Sequence, residues 1–442
     1  MSGGRGTADA LLGLLDDLVD ERVGIVRRLD LVPRDAGDPD FFHVAGKACN
    51  TAAFSRQANF ANTGGAATDL AIAAAKAVGE AVERYSAAIY DHEELPLCSA
   101  READFACADP RDFALHTEAQ HAEPGFPWVP FTEDTPVRWA RGTDAATGGP
   151  LHVPAAMVYM PYHYYQDTGE VPIVQPISTG LACHMGRARA ELGAICEAVE
   201  RDAFTITWQG GLARAQIRIE TLSDANYDLV GRFERAGGVV TMFDIATDLG
   251  IPAILSVLQH ESPHCAALVV AASADPDPEA AARKSLEELA HTRRYSQQVK
   301  SRLPRLPRDR LEEIVDQVDH LNFWCDHANA PRAEFLFRSA ERVDFDELPN
   351  LATGSPEGDR AALAGRIAAA GHRVVLCNLT TPDVAPLGLH VARAVVPGFH
   401  PLFMGFQTRA LGGQRLWEVP RRLGLPTAAA AAGDVGLPHP YP

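Results

Sequence analysis

The sequence predicts a mixed α/β protein of the α+β kind, in which antiparallel sheets pack against buried helices. Three observations carry that expectation. Residues 69–90, 187–208 and 278–300 show the apolar periodicity of buried helices. The runs 137–140, 155–160, 239–245, 253–259 and 266–273 have the length and composition of strands. Between 92 and 172, Pro, Gly and aromatic residues punctuate such runs, the habit of an antiparallel sheet. With 46% hydrophobic residues in a chain of 442, there is ample material for a large core.

In chain order, Leu11, Leu12, Leu15, Leu18 and Val19 give residues 8–22 helical spacing, and a polar stretch, 32–40, follows. Residues 1–60 thus form a packing segment ahead of a main domain, 61–420. Thr63-Gly64-Gly65-Ala66-Ala67-Thr68 reads as a small-residue loop of the type that lets a backbone approach a ligand closely. The first buried helix, 69–90, comes next, and residues 176–182 (PISTGLA) lead into the second, 187–208. After the strands of 239–273 and the third helix, a helix at 359–370 bounded by Gly358 and Gly371 precedes strands at 373–379 and 390–396 and the turn Pro397-Gly398. An alanine run, 428–432, leads to the last segment, Pro438-His439-Pro440-Tyr441-Pro442, within a tail spanning 421–442. Three alternating prolines remove the donors that a helix or central strand needs, so this end is extended.

Composition excludes several function classes. The 58 acidic against 40 basic side chains, net −18, disfavour nucleic acid or an anionic membrane as partner. The eight cysteines include no Cys-x-x-Cys pair, so neither a zinc site nor a disulfide framework is indicated. Asp9, Asp16, Asp17, Asp20 and Glu21 interrupt the first apolar stretch, unlike a signal peptide, and no apolar run is long enough to span a bilayer. The expected location is the cytoplasm.

The chemistry lies in a duplication. Glu-Ala-Val-Glu-Arg occurs at 80–84 and again at 197–201, each time inside a largely apolar helix. At about 100° per residue, Lys76, Glu80, Glu83 and Arg84 share one stripe of the first helix. Glu197, Glu200 and Arg201 repeat it on the second. A carboxylate withdrawn from water costs several kcal/mol unless a cation or donors meet it, on the order of 3–5 kcal/mol when its partner is missing. Four carboxylates with two guanidiniums suit Mg²⁺ plus a polyphosphate: carboxylates take the metal and arginines the phosphates. The competing reading is a pair of exposed i,i+4 ion pairs, worth roughly 0.3–0.5 kcal/mol each.

Residues 64–86 (GGAATDLAIAAAKAVGEAVERYS), 178–204 (STGLACHMGRARAELGAICEAVERDAF), 278–293 (PEAAARKSLEELAHTR) and 395–401 (VVPGFHP) resemble the YcaO family. That resemblance implies a YcaO-type fold around an ATP/Mg²⁺ cleft and an ATP-dependent enzyme that activates a peptide-backbone amide. It implies Glu80, Glu83, Glu197 and Glu200 as Mg²⁺ ligands. Arg84, Arg201, Arg293, Ser178 and Lys76 fall to the nucleotide, with Arg201 and Arg293 also catalytic. The PHPYP end is similar to the PxPxP terminus of azoline-forming members, in which a terminal carboxylate, here that of Pro442, serves as base. The implied reaction turns Cys, or Ser/Thr, of a ribosomally made precursor peptide into thiazoline or (methyl)oxazoline.

The same resemblance implies partners: the precursor peptide, a leader-binding protein of the E1-like (ocin-ThiF) type, a flavin-dependent dehydrogenase in the same complex, and a second copy in a homodimer. Neither nucleic acid nor membrane is expected. Three positions depart from the family's pattern: Met185 stands where some members carry Asn, Arg189 where they carry an acid, and Lys76 replaces a small residue. An arginine in place of a carboxylate removes a metal ligand and adds positive charge. The alternatives are therefore a thioamide- or amidine-forming enzyme, or a catalytically weakened scaffold subunit. His184, the aromatic stretch 160–165, Asp244, Glu287 and Glu288 are lesser candidates, each equally explained by packing, capping or solvation.

Overall fold

The computed structural model describes residues 2–307, 309–426 and 434–441. Pro442, the expected base, and the alanine run 428–432 lie outside the described residues. Two compact units are present: Met1–Pro33, Phe42–Ala198 and Thr353–Phe399 form one, and Arg34–Phe41, Val199–Ala352 and His400–Pro442 the other.

The first unit holds two sheets. One is antiparallel and three-stranded, in the order Val26–Val32, Phe42–Ala48, Asn62–Ala67. The other runs Leu97–Cys98, Val137–Asp144, Val375–Asn378, Leu389–Val395, Leu181–Met185, with Pro150–Pro154 paired to Val137–Asp144. The helix Leu70–Ala87 packs on the three-stranded sheet and on Leu181–Met185. Asp69 starts it by accepting from the Ala71 N–H at 2.8 Å, an N-cap that satisfies one orphan donor. Its apolar face, Ala73 and Ala77, closes against Val44 and Ala67 with Leu29 and Ile72 at the rim.

The second unit is built on a five-stranded sheet, Leu268–Ala274, Ala253–His260, Gly238–Asp244, Gln216–Ile217, Arg342–Val343, antiparallel except for the last pair. Leu268–Ala274 is buried at every position, which is why it reads as a continuous apolar run. The helix Pro278–Arg302, capped by Asp277 and opened by Pro278, packs across this sheet, where Ser285 and Ser256 share a hydrogen bond of 2.8 Å. Of the helix Arg187–Gln209, residues to Ala198 belong to the first unit and those from Val199 to the second.

The mixed α/β architecture matches the expectation, with local corrections. The run 63–68 is part of the strand Asn62–Ala67 rather than a loop. A Cβ on Gly65 would lie 2.3 Å from the Ala73 carbonyl oxygen, so the small residues admit the helix Leu70–Ala87. Residues 155–160 form no strand: the strand is Pro150–Pro154, and a short 3₁₀ turn, Ala155–Met157, follows it, because Pro154 cannot continue the ladder as a donor. The predicted helix 8–22 is two, Ser2–Leu12 and Leu15–Leu18, interrupted at Gly13, a weak helix former. The strands Val26–Val32 and Phe42–Ala48 have no counterpart in the sequence reading, because their small, charged and polar residues mask the alternation.

Candidate active site

In the first unit, the stripe predicted on Leu70–Ala87 is present and partly buried. Glu80 accepts from the Gly64 N–H at 2.9 Å through Oε2, and its Oε1 lies 3.4 Å from Arg84 Nη2. The i,i+4 ion pair of the competing reading therefore exists, but both side chains are largely withdrawn from water and Glu80 is also tied to the neighbouring strand. Lys76 donates to the Ala66 carbonyl at 3.0 Å, which binds helix to strand.

Glu83 is the most perturbed carboxyl of the group. Desolvation pushes it up to about 8; Arg84 and Arg393 pull it down, but Glu197 and Glu80 repel the negative form. Burial alone would lower the Arg84 guanidinium, yet Glu80, Glu83 and Glu197 more than reverse this and hold it charged. Glu80, Glu83, Arg84 and Glu197 thus share one electrostatic cluster within this unit. Ser178 sits in the turn before Leu181–Met185, its carbonyl accepting from the Leu181 N–H at 3.1 Å.

Arg393 joins this cluster and escaped the sequence reading. It lies on Leu389–Val395, is 3% exposed, and donates through Nη2 to the Ile177 carbonyl at 2.9 Å. Its Nε and Nη1 are buried without a hydrogen-bond partner among the described residues. Desolvation lowers its pKa to about 10, against the pull of Glu197 and Glu83. A lone arginine in an apolar strand is conspicuous in LHVARAV, but the period-2 pattern assigns it no partner.

Residues of the second unit form another group. Glu200, 9% exposed, accepts a short hydrogen bond at Oε1 from the Tyr441 hydroxyl, and Arg201 Nε lies 3.6 Å from the same oxygen. The Arg201 guanidinium stacks over the Tyr441 ring at 4.3 Å, and Phe204 meets that ring at 4.5 Å. Burial drives the Tyr441 phenol well above its ordinary range and Glu200 adds to the effect, whereas Arg201 opposes it. The tail that carries Tyr441 is firmly docked: Trp324 Nε1 donates to Pro438 O at 2.9 Å, and the His439 N–H to His320 Nδ1 at 3.0 Å.

Arg293 is engaged with Asp38 at 2.6 Å in a buried ion pair, and its Nε has no hydrogen-bond partner among the described residues. Of the departures from the family's pattern, Met185 pairs with Leu389 in the sheet and Arg189 is exposed. Glu191 is held by Arg187 at 2.7 Å and by Arg360.

Among the described residues no group of three or more acidic, His or Cys side chains is gathered tightly enough to hold a metal ion as the side chains stand. The donor set nonetheless fits Mg²⁺. It consists of carboxylate oxygens alone, and desolvation, aided by Glu197 and Glu80, disfavours the charged form of Glu83, a cost that a divalent cation relieves. Among the described residues no helix is long and apolar enough to cross a membrane.

Comparison with known proteins agrees with this fold. A heterocyclase in complex with substrate and cofactor is similar over 98% of this chain and 57% of its own, with a TM-score of 0.79 and 20% identity. YcaO from Methanopyrus kandleri bound with AMPPCP and Mg²⁺ gives 0.64 at 20% identity, over 88% of this chain and 90% of its own. The E. coli microcin synthetase McbBCD complex with pro-MccB17 bound gives 0.58 at 15% identity, over 84% and 88%. At these identities the likeness is one of fold. An uncharacterized protein in the tfuA 3′ region of Rhizobium leguminosarum bv. trifolii is 29% identical over 168 residues, which span 36% of this chain and 39% of that protein. The sequence profile described as YcaO cyclodehydratase, ATP- and Mg²⁺-binding, matches residues 64–400, well over half of the chain. Repeated ExxER helices, a compatible donor set, the shared fold and this match together make the chain a member of the YcaO family, whose cofactors are ATP and Mg²⁺.

Proposed function

We propose that this chain is the ATP-using subunit of a peptide heterocyclase, which converts Cys, or Ser/Thr, of a ribosomal precursor peptide to thiazoline or (methyl)oxazoline. The observation that carries the reading is the partly buried cluster of Glu80, Glu83, Glu197, Arg84 and Arg393, matched on the second ExxER repeat by Glu200 and Arg201. When bound, MgATP supplies the phosphoryl group that turns a poor leaving group, the amide oxygen, into a good one.

The residues of this chain bind and orient. Glu80, Glu83, Glu197 and Glu200 would hold the metal, and their partial burial would make each carboxylate–cation contact stronger than it is in water. Arg84 and Arg201 would neutralise phosphate charge, joined by Arg293 through its Nε, and Lys76 and Ser178 would also serve the nucleotide. Gly64 fixes the Glu80 carboxylate through its backbone N–H, so that ligand is aimed before any cation arrives.

The PHPYP tail supports the azoline-forming subtype with a PxPxP end. The solved relatives described with substrate or with pro-MccB17 support a precursor-peptide substrate and partner proteins, and a leader-binding protein of the E1-like type is the proposed presenter. A flavin-dependent dehydrogenase, a homodimeric assembly and a cytoplasmic setting complete this reading. The test is the thermal midpoint with and without MgATP, in wild type and in a Glu83→Ala, Glu200→Ala double variant. A rise of about 2.7 kcal/mol in stability is expected at a hundredfold excess over Kd, and only in wild type. An equal rise in the double variant refutes the assignment of the metal ligands.

A weakened scaffold subunit is the second reading, favoured by exposed Arg189 in the first turn of Arg187–Gln209. Appearance of ATP use on Arg189→Glu, where wild type has none, decides for it.

A further inference from the structure

The Tyr441 hydroxyl has two acceptors nearby, Glu200 Oε1 at short range and the Ala272 carbonyl at 3.3 Å. A phenol has one proton to give, and the charged carboxylate is the stronger acceptor, so the proton goes to Glu200. The ring that delivers it is clamped by two residues of the same helix turn region, Arg201 over its face and Phe204 against it, and is 1% exposed. The backbone behind the ring is fixed as well. Trp324 holds Pro438, His320 holds His439, Val435 donates to the Gln209 carbonyl at 2.8 Å, and Arg409 pairs with Asp434. The hydroxyl therefore sits where the fold puts it.

We propose that Tyr441 is a positioning residue for Glu200, which sets the orientation of this carboxylate as a Mg²⁺ ligand and couples docking of the C-terminal tail to loading of the metal–nucleotide. The inference rests on the reading of Glu200 as a metal ligand. A neutral donor suits the task. A lysine at this place would add a second positive charge to that of Arg201, 3.6 Å from the carboxylate, and compete with the cation, whereas a phenol restricts rotation of the carboxylate without adding charge. Coupling is reciprocal by linkage: if the docked tail favours the metal-binding orientation, the metal favours the docked tail.

The experiment uses the full chain and titrates Mg²⁺ at fixed AMPPCP, with binding read by calorimetry, in wild type, Tyr441→Phe and Glu200→Ala. Tyr441→Phe keeps the ring against Arg201 and Phe204 and removes only the hydroxyl. It is expected to raise the half-saturating Mg²⁺ concentration about 10-fold, the usual effect of losing an outer-shell partner, with the ligand-free thermal midpoint little changed. Glu200→Ala is expected to lose Mg²⁺-dependent binding. If Glu200→Ala loses binding but Tyr441→Phe titrates like wild type, the tyrosine's role is overturned and the ligand assignment stands. If Glu200→Ala titrates like wild type, or wild type takes up no MgAMPPCP, both fall. A lower ligand-free midpoint with an unchanged Mg²⁺ requirement marks a merely structural tyrosine and likewise overturns the proposal. Independently of any variant, MgAMPPCP is expected to slow hydrogen exchange of the His439 and Tyr441 amides in wild type; unchanged rates contradict the coupling.

Discussion

A methyl group at Gly65 would meet Ala73 O at 2.3 Å and Lys76 Cβ at 2.6 Å, and neither atom belongs to a freely moving side-chain end. Gly65→Ala is therefore expected to lower stability by about 1–3 kcal/mol in denaturant unfolding, by forcing the strand Asn62–Ala67 off its helix. Glu83 yields a second prediction at this scale. Its folded carboxyl titrates near 8, above an ordinary value of 4.5, so between these pH values the folded chain holds a proton that the unfolded chain has released. Stability must then fall as pH rises through this window. In buffer with chelator, the thermal midpoint of wild type should drop from pH 5 to pH 8 more than that of Glu83→Gln; equal drops refute the raised Glu83 carboxyl. Glu80, Glu83 and Arg84 were legible because charge on a helix of Ala, Val and Ile has no bland explanation when it recurs. Arg393 was not, since its partners come from helices far away in sequence, and Tyr441 was hidden in a segment whose prolines suggest only an extended end.

Among the elements, the docked tail depends on two imidazoles that must stay neutral. His320 and His439 stack at 4.1 Å, and burial lowers both, His320 to about 4; the His320 ring and Arg201 add to the lowering at His439. The ordinary value of 6.5 returns on undocking, so the released tail takes up protons that the docked one refuses. Docking is fully favoured above pH 6.5 and weakens as pH falls from there toward 4. Hydrogen exchange at the His439 amide is expected to speed up from pH 7.5 to pH 5.5 beyond the intrinsic change in exchange rate; a constant protection factor counts against it. The three long helices, Leu70–Ala87, Arg187–Gln209 and Pro278–Arg302, were readable in the sequence because each keeps one apolar face over four or more turns; the shorter Asp224–Arg235, Gln317–Cys325 and Gln414–Arg422 were not. The strands Val26–Val32 and Phe42–Ala48 were not, because glycine, lysine and histidine take positions where alternation would have shown.

For the molecule as a whole, none of the eight cysteines forms a disulfide, and those at 183, 325 and 377 are pushed far above the usual thiol range, chiefly by burial. Stability is accordingly expected to be indifferent to reductant: thermal midpoints with and without dithiothreitol should coincide, and a fall on reduction would reveal a covalent link. The fold class was recoverable from periodicity alone, because 46% apolar content leaves little choice of which faces go inside. The division into two units was not, since both are assembled from distant stretches of chain and no single linker divides them.

The bond from Trp324 Nε1 to the Pro438 carbonyl has an optical consequence. This indole is fully buried, and the Trp208 ring stands edge-on to it at 5.3 Å. Release of the tail removes the acceptor from the excited-state dipole of Trp324 and opens its ring to solvent, which shifts its emission to the red. The protein thus contains an intrinsic fluorophore that reports, without any label and in real time, whether its last segment is in place.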